Sequence, residues 1–183
     1  MRRLLFWGTT IVLLGAAVHI VTAVVVPRIE RERTIEELIT AAPTNQLTVI
    51  DPKKRSEFAL KGIAADLAIA ICPYDVSLKA LSITAPLPTA YWSISIFGME
   101  GQNIYTINDS QVGTDKFAAT IILDKEEAEE AGDSTARQGE GIVIKSKSEK
   151  GLVLLRTFIS DLAAAQRTQA VLEKTVCTEQ ELS

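Results

Sequence analysis

Three aspartates, Asp75, Asp109 and Asp115, fall near the ends of predicted strands. A pair of facing carboxylates is what acid–base hydrolysis of a glycosidic bond requires, so a carboxylate-dependent hydrolase is one reading of the chain. Turn and cap roles suit the same positions, because a short carboxylate bonds readily to nearby backbone N–H groups. Nucleophilic chemistry has less to draw on. The one histidine, His19, lies inside an apolar run, so no Ser-His-Asp or Cys-His centre can form in the rest of a single chain. A histidine-rich zinc or iron site is excluded for the same reason. Cys72 and Cys177 are too far apart for a CxxC motif, and neither GxxxxGK[ST] nor GxGxxG occurs. The two cysteines are instead a candidate disulfide in an oxidising compartment, or two separate thiols. Glu126, Glu127, Glu129 and Glu130 lack the spacing of a calcium loop and read as a solvated charged face. No catalytic residue, metal ligand or cofactor is expected.

The aromatic side chains Tyr74, Tyr91 and Tyr105, with Asp75 and Asp109, are candidates for a ligand or partner surface. Aromatics at alternating spacing serve equally as core or cross-strand pairs.

The elements that must position these residues begin with an apolar segment. Leu4 to Val26 contains no Lys, Arg, Asp or Glu in 23 positions. As a helix it would rise about 34 Å, enough to cross the ~30 Å hydrocarbon core of a bilayer. Arg2 and Arg3 before it also suit a signal peptide, but the run is longer than a signal core of roughly 7–15 residues. An uncleaved anchor is expected, contacting lipid through Leu4 to Val26. Arg28, Arg31 and Arg33 follow the span, so the positive-inside rule is nearly balanced. The short leading tail and large remainder favour a cytoplasmic N-terminus in a bacterial inner membrane, with the soluble domain periplasmic.

Residues 1–27 therefore read as a transmembrane anchor, 28–65 as a helical stalk and linker, and 66–183 as a folded domain. Pro27 closes the apolar run, and Arg28 to Thr40 reads as a solvated helix. Leu67 to Cys72 alternates at strand spacing, Pro73 interrupts it, and Val76 to Thr84 alternates again. Tyr91 to Phe97 and Ile104 to Ile107 read as a hairpin across a Gly-containing loop. Phe117 to Leu123 is a further strand, and Asp124 to Glu140 a loop or short helix. Gly141 to Ser146 and Leu152 to Phe158 read as strands that pair with each other. Asp161 is placed to cap a helix through Leu172. Short strands with turn signals about ten residues apart predict a mainly β fold, an antiparallel β-sandwich with a short C-terminal helix. The net charge of −4 supplies no basic face for nucleic acid.

The stretch CPYDVSLKALSITAPLPTAYWSISIFGMEGQNIYTINDS, Cys72 to Ser110, resembles the bacterial domain-of-unknown-function family 1254. The residues that carry the resemblance are the turn Pro73 to Asp75, the strand Tyr91 to Phe97, the loop Gly98 to Gly101 and the strand Asn103 to Asn108. The run Gly151 to Gln169 is similar to the family's strand–Arg–helix ending. The resemblance spans roughly Leu67 to Val171. It implies a β-sandwich and no transferable catalytic residue. Larger members join this domain to a second β-domain, of the family numbered 1214; this chain is similar instead to a short membrane-bound form. Its expected function is a non-enzymatic envelope interaction module, its second domain supplied by a separate 1214-type partner. The alternatives are the hydrolase above and a small-ligand binding domain.

Overall fold

The computed structural model describes residues 2–51, 64, 66–111, 115–124, 135–138 and 141–181. Two five-stranded sheets stack around one core. The first has the order β1 (Thr48–Ile50), β2 (Leu67–Asp75), β9 (Lys150–Phe158), β4 (Trp92–Gly98) and β5 (Asn103–Asn108), antiparallel throughout. The second has the order β10 (Val176–Gln180), β3 (Ala80–Pro86), β6 (Lys116–Leu123), β8 (Gly141–Ser146) and β7 (Thr135–Gln138). In it β6 and β8 run parallel, so this sheet is mixed. Alternate residues face inward, as strand geometry requires. Ala70, Ile94 and Val153 from the first sheet meet Leu81, Ile83 and Ile121 from the second.

Strand β2 is buried on both faces, which is why it reads as a nearly continuous apolar run. Its inward residues Ala68, Ala70, Cys72 and Tyr74 join the core. Its outward residues Ile69 and Ile71 meet helix α1 (Arg2–Thr40). Pro73 does not break the strand. Its carbonyl accepts the Asn45 N–H at 2.7 Å, so its missing N–H also points toward β1, beyond that strand's last paired residue.

Helix α1 passes through Pro27 uninterrupted, with one lost bond to the Ala23 carbonyl. Its last turns are not the solvated stalk expected from the charges. Ile35 and Leu38, three residues apart, share one helix face and are buried with Ile50, Ile69, Ile71 and Leu152. Earlier along the helix, the Arg31 methylenes lie directly against Gly101 in the β4–β5 loop. Gly101 has φ +71°, and a Cβ there would run into Arg31, so both backbone and space call for glycine. The helix thus leaves the sandwich at the end that carries Gly98 and Gly101.

The expected hairpin β4–β5 is present, with a bulge between Ile96 and Phe97. Asp161 caps helix α2 (Leu162–Leu172), accepting the Ala164 N–H at 2.8 Å. Other expectations need correction. Strands β8 and β9 do not pair: β8 lies between β6 and β7, and β9 between β2 and β4. The turn after Ser146 carries the chain from one sheet to the other, held by the Ser148 N–H bond to Ser146 Oγ at 3.1 Å and the Val76 N–H bond to the Glu149 carbonyl at 2.8 Å. β3 begins at Ala80, because Val76 to Lys79 make the turn between sheets. β1 falls in the segment assigned to the linker, and β7 in the one read as loop or helix.

Cys72 on β2 is bonded to Cys177 on β10, with Cα atoms 6.7 Å apart and a sequence separation of 105 positions. The bond joins the first sheet to an edge strand of the second. A closed loop of this length stabilises a fold by about 4–5 kcal/mol through the entropy it removes from the unfolded chain. Replacing both cysteines by alanine is expected to lower the unfolding free energy of the detergent-held full chain by about 4 kcal/mol in a urea titration. An unchanged midpoint and slope would contradict that role.

Candidate functional site

The five residues singled out in the sequence do not converge. Tyr74 points inward from β2 and is only 1% exposed. Its hydroxyl lies 3.2 Å from Ser146 Oγ on β8, bridging the sheets, and Gly151 leaves room for its ring. It lines no surface. Burial pushes its hydroxyl pKa up to about 12, only partly offset by the Ser146 hydrogen bond. Asp75 ends β2 and lies opposite Lys150 in the register. Its carboxylate accepts the Ser77 hydroxyl at 2.6 Å and the Ser77 N–H at 3.0 Å, and Lys150 Nζ sits 3.6 Å away. The hydrogen bonds from Ser77, with the Lys150 charge, hold its pKa below the usual carboxylate range. Its own N–H is bonded to Asn45 Oδ1 at 2.9 Å. This is turn chemistry, satisfied locally.

Tyr91 precedes β4 and is 49% exposed, while Tyr105 on β5 is half-buried against the core. Asp109 is exposed in the 3-10 turn after β5. Ser93 pairs with Asn108, and Gly98 with Gly151, which sits beside the Asp75–Lys150 pair. Asp75 and Asp109 therefore occupy opposite ends of the first sheet, roughly 17–20 Å apart along the strands. Asp115 immediately precedes β6 at the Asp109 end, its carbonyl bonded to the Leu87 N–H. Neither can pair with Asp75. A cavity of about 230 Å³ lies between β1, β2 and α2, and one of about 160 Å³ beside the β2–β3 turn; neither is lined by Tyr91 or Tyr105. No group of three or more His, Cys, Asp or Glu residues is arranged for a metal among the described residues. The glutamates 126, 127, 129 and 130 lie outside those residues.

A constellation that the sequence reading did not single out lies on the outer face of the first sheet. Arg156 on β9 points outward, directly opposite Ser93 on β4. Its Nε–H donates to Ser93 Oγ at 3.1 Å, and Nη2 lies 3.5 Å from Ser95 Oγ. Ser95 Oγ also accepts the Thr106 hydroxyl at 3.1 Å, and Thr106 accepts from Asn103 Nδ2 at 2.6 Å. Ser93 and Ser95 are 2% and 1% exposed. The signal was present in WSISIF, where serine alternates with isoleucine, but the arginine that faces it comes from a strand 63 positions away.

The model of the family described as "Protein of unknown function (DUF1254)" matches residues 44–176, and the chain belongs to that family. No curated protein matches the sequence. Among solved structures, the chain is similar to the VPA0106 protein from Vibrio parahaemolyticus, at 11% identity and a TM-score of 0.58 over 82% of this chain and 37% of that one. It is also similar to an uncharacterised protein from Burkholderia cenocepacia, at 10% identity and a TM-score of 0.45 over 64% of this chain and 32% of that one. The chain thus spans about a third of the length of each of these structures. The first likeness carries the fold.

Tyr74 gives a pH prediction. Its folded-state pKa lies above the unfolded value, so its contribution is intact below pH 10 and is lost as pH rises toward 12. Unfolding free energy is expected to fall by roughly 3 kcal/mol across that window, and Tyr74→Phe to flatten that part of the profile. Denaturant titrations at pH 9 to 12 give the comparison; an identical slope in the variant would contradict the assignment.

Proposed function

We infer that this protein is a single-pass, membrane-anchored module of the bacterial cell envelope that binds another protein and performs no catalysis. The observation that carries this reading is the bare helix fused to the sandwich. α1 is long and apolar enough to cross a membrane, and none of its most apolar window is buried. Leu4, Leu5, Phe6, Trp7, Ile11 and Leu13 are each more than 60% exposed. A continuous apolar surface of this kind is stable in lipid and aggregation-prone in water. The other end of the same helix is packed onto the first sheet through Ile35 and Leu38. Only Pro27 to Glu30 separate the apolar run from the Arg31–Gly101 contact, a rise of about 6 Å. The sandwich would therefore sit close to the lipid with its Gly98–Gly101 end nearest.

The Cys72–Cys177 bond favours an oxidising compartment, hence a periplasmic domain and a cytoplasmic N-terminus. The partner in this reading is a separately encoded protein carrying a 1214-type β-domain. Two observations on the aspartates weigh against the hydrolase: Asp75 is engaged by Ser77 and Lys150, and it lies at the opposite end of the sheet from Asp109.

Three measurements test the reading. Carbonate extraction of membranes is expected to leave the chain in the pellet, and protease added to spheroplasts to digest the sandwich. Release of a soluble chain beginning near Val24 would overturn the anchor. Affinity capture from solubilised membranes is expected to recover a 1214-type protein; its repeated absence would overturn the partner.

A further inference from the structure

We propose that Arg156, held in place by Ser93 and Ser95, forms a binding site for an oxyanion, a carboxylate or a phosphate, on the outer face of the first sheet. A count of donors and acceptors leads there. A guanidinium has five N–H donors and no acceptor. Here Nε–H goes to Ser93 Oγ, and one Nη2 donor makes a long contact with Ser95 Oγ. No carboxylate oxygen lies within 4 Å of Arg156 among the described residues. Ser93 Oγ accepts from Arg156, and Ser95 Oγ accepts from both Arg156 and Thr106, so each serine has its own O–H left to give. No acceptor for either proton is found among the described residues. The half-exposed guanidinium therefore has N–H donors to spare and, among the described residues, no counter-charge.

The geometry suits a planar or tetrahedral oxyanion. Ser93 and Ser95 are two positions apart on one strand, so their side chains rise on the same face about 7 Å apart. Arg156 sits opposite Ser93 in the register, and Thr106 opposite Ser95. All four stand on three mutually paired strands, β5, β4 and β9, so their spacing is held by the sheet rather than by a loop. The serines are almost fully buried and hold the guanidinium from beneath, so the remaining N–H donors of half-exposed Arg156 are the ones a ligand reaches. Guanidinium forks bind carboxylate and phosphate oxygens in pairs, which a lysine at this position would not.

The site lies toward the end of the sheet opposite Gly98 and Gly101, where α1 departs, so it does not depend on the anchor and does not face the bilayer that the anchor would enter. The oxyanion can come from a small soluble ligand or from an acidic group on a bound polypeptide. The chemistry is shared, and the two are separable by titration.

The test uses the full chain in nanodiscs of neutral lipid. Acetate, inorganic phosphate and a glutamate-rich peptide are added separately at constant ionic strength, with chloride as the control. The Arg156 side-chain Nε–H resonance and the backbone amides of residues 93, 95 and 106 are followed by NMR. At least one of the three probes is expected to give a saturable shift at these groups that chloride does not reproduce. Saturation by acetate or phosphate marks a small-ligand site; saturation by the peptide alone marks an acidic polypeptide. Arg156→Gln is expected to weaken the binding at least tenfold, and Ser93→Ala with Ser95→Ala to weaken it severalfold while keeping the charge. Arg156→Lys, which keeps charge without the fork, serves if the glutamine variant fails to fold, and is expected to weaken binding severalfold. No saturable shift with any probe, or equal binding in the folded variants, would overturn the proposal. Neither result bears on membrane retention, so the anchor stands or falls separately.

Discussion

Burial of Ile35 and Leu38 of α1 against Ile69, Ile71 and Leu152 is the contact on which the rest of the structure depends. A two-layer sandwich hides one face of each sheet and leaves the other to water, so outward isoleucines on a central strand need a cover. The last turns of α1 are that cover. Each fully buried side chain of this size contributes roughly 1.5–3 kcal/mol. The same contact turns a helix that would otherwise hang from the domain into part of it. It also divides the outer face of the first sheet into an apolar part under α1 and a polar strip in which Thr106 and Arg156 reach solvent above the buried Ser93 and Ser95.

Strand β2 transmits the consequences. Its outward side chains receive the helix, while its inward side chains enter the core, with Cys72 covalently tied to β10 of the opposite sheet and Tyr74 reaching Ser146 of β8. Helix, first sheet and second sheet are therefore joined through one nine-residue segment. A pull on α1 is borne by β2 and its pairing with β9, and from there by the core and the disulfide. The orientation of α1 on the domain is thus set by side-chain packing rather than by a flexible linker.

Much of the fold was legible in the sequence because strand periodicity and cap chemistry are local. Tyr91 to Phe97 alternates cleanly and is followed by a glycine-containing loop, and Asp161 precedes an alanine-rich helix. Partner choice was not legible, since alternation identifies a strand without naming its neighbour. Adjacency suggested that Gly141–Ser146 pairs with Leu152–Phe158, yet the turn between them crosses from one sheet to the other. β1 has three residues, too few to show a period, and β10 buries only Cys177 of its five. The candidate site was hidden for a related reason. Arg156 and Ser93 meet only through the β4–β9 pairing, and whether their face is open depends on where α1 lies. Tyr74 looked like a surface aromatic until β2, running straight through Pro73, turned it toward the core.

Hydrogen exchange on the full chain in nanodiscs, read residue by residue, tests the docking of α1 most directly. Amides of residues 33–40, beyond the reach of lipid, are expected to be protected to the same degree as those of β2 and β9. In Leu38→Ala they are expected to lose protection by one to several orders of magnitude while the β3 and β6 amides change far less. Exchange of residues 33–40 in the unmodified protein at the rate of an isolated, fraying helix would contradict the account, because the helix would then be a loose tether and the sheet face beneath it open.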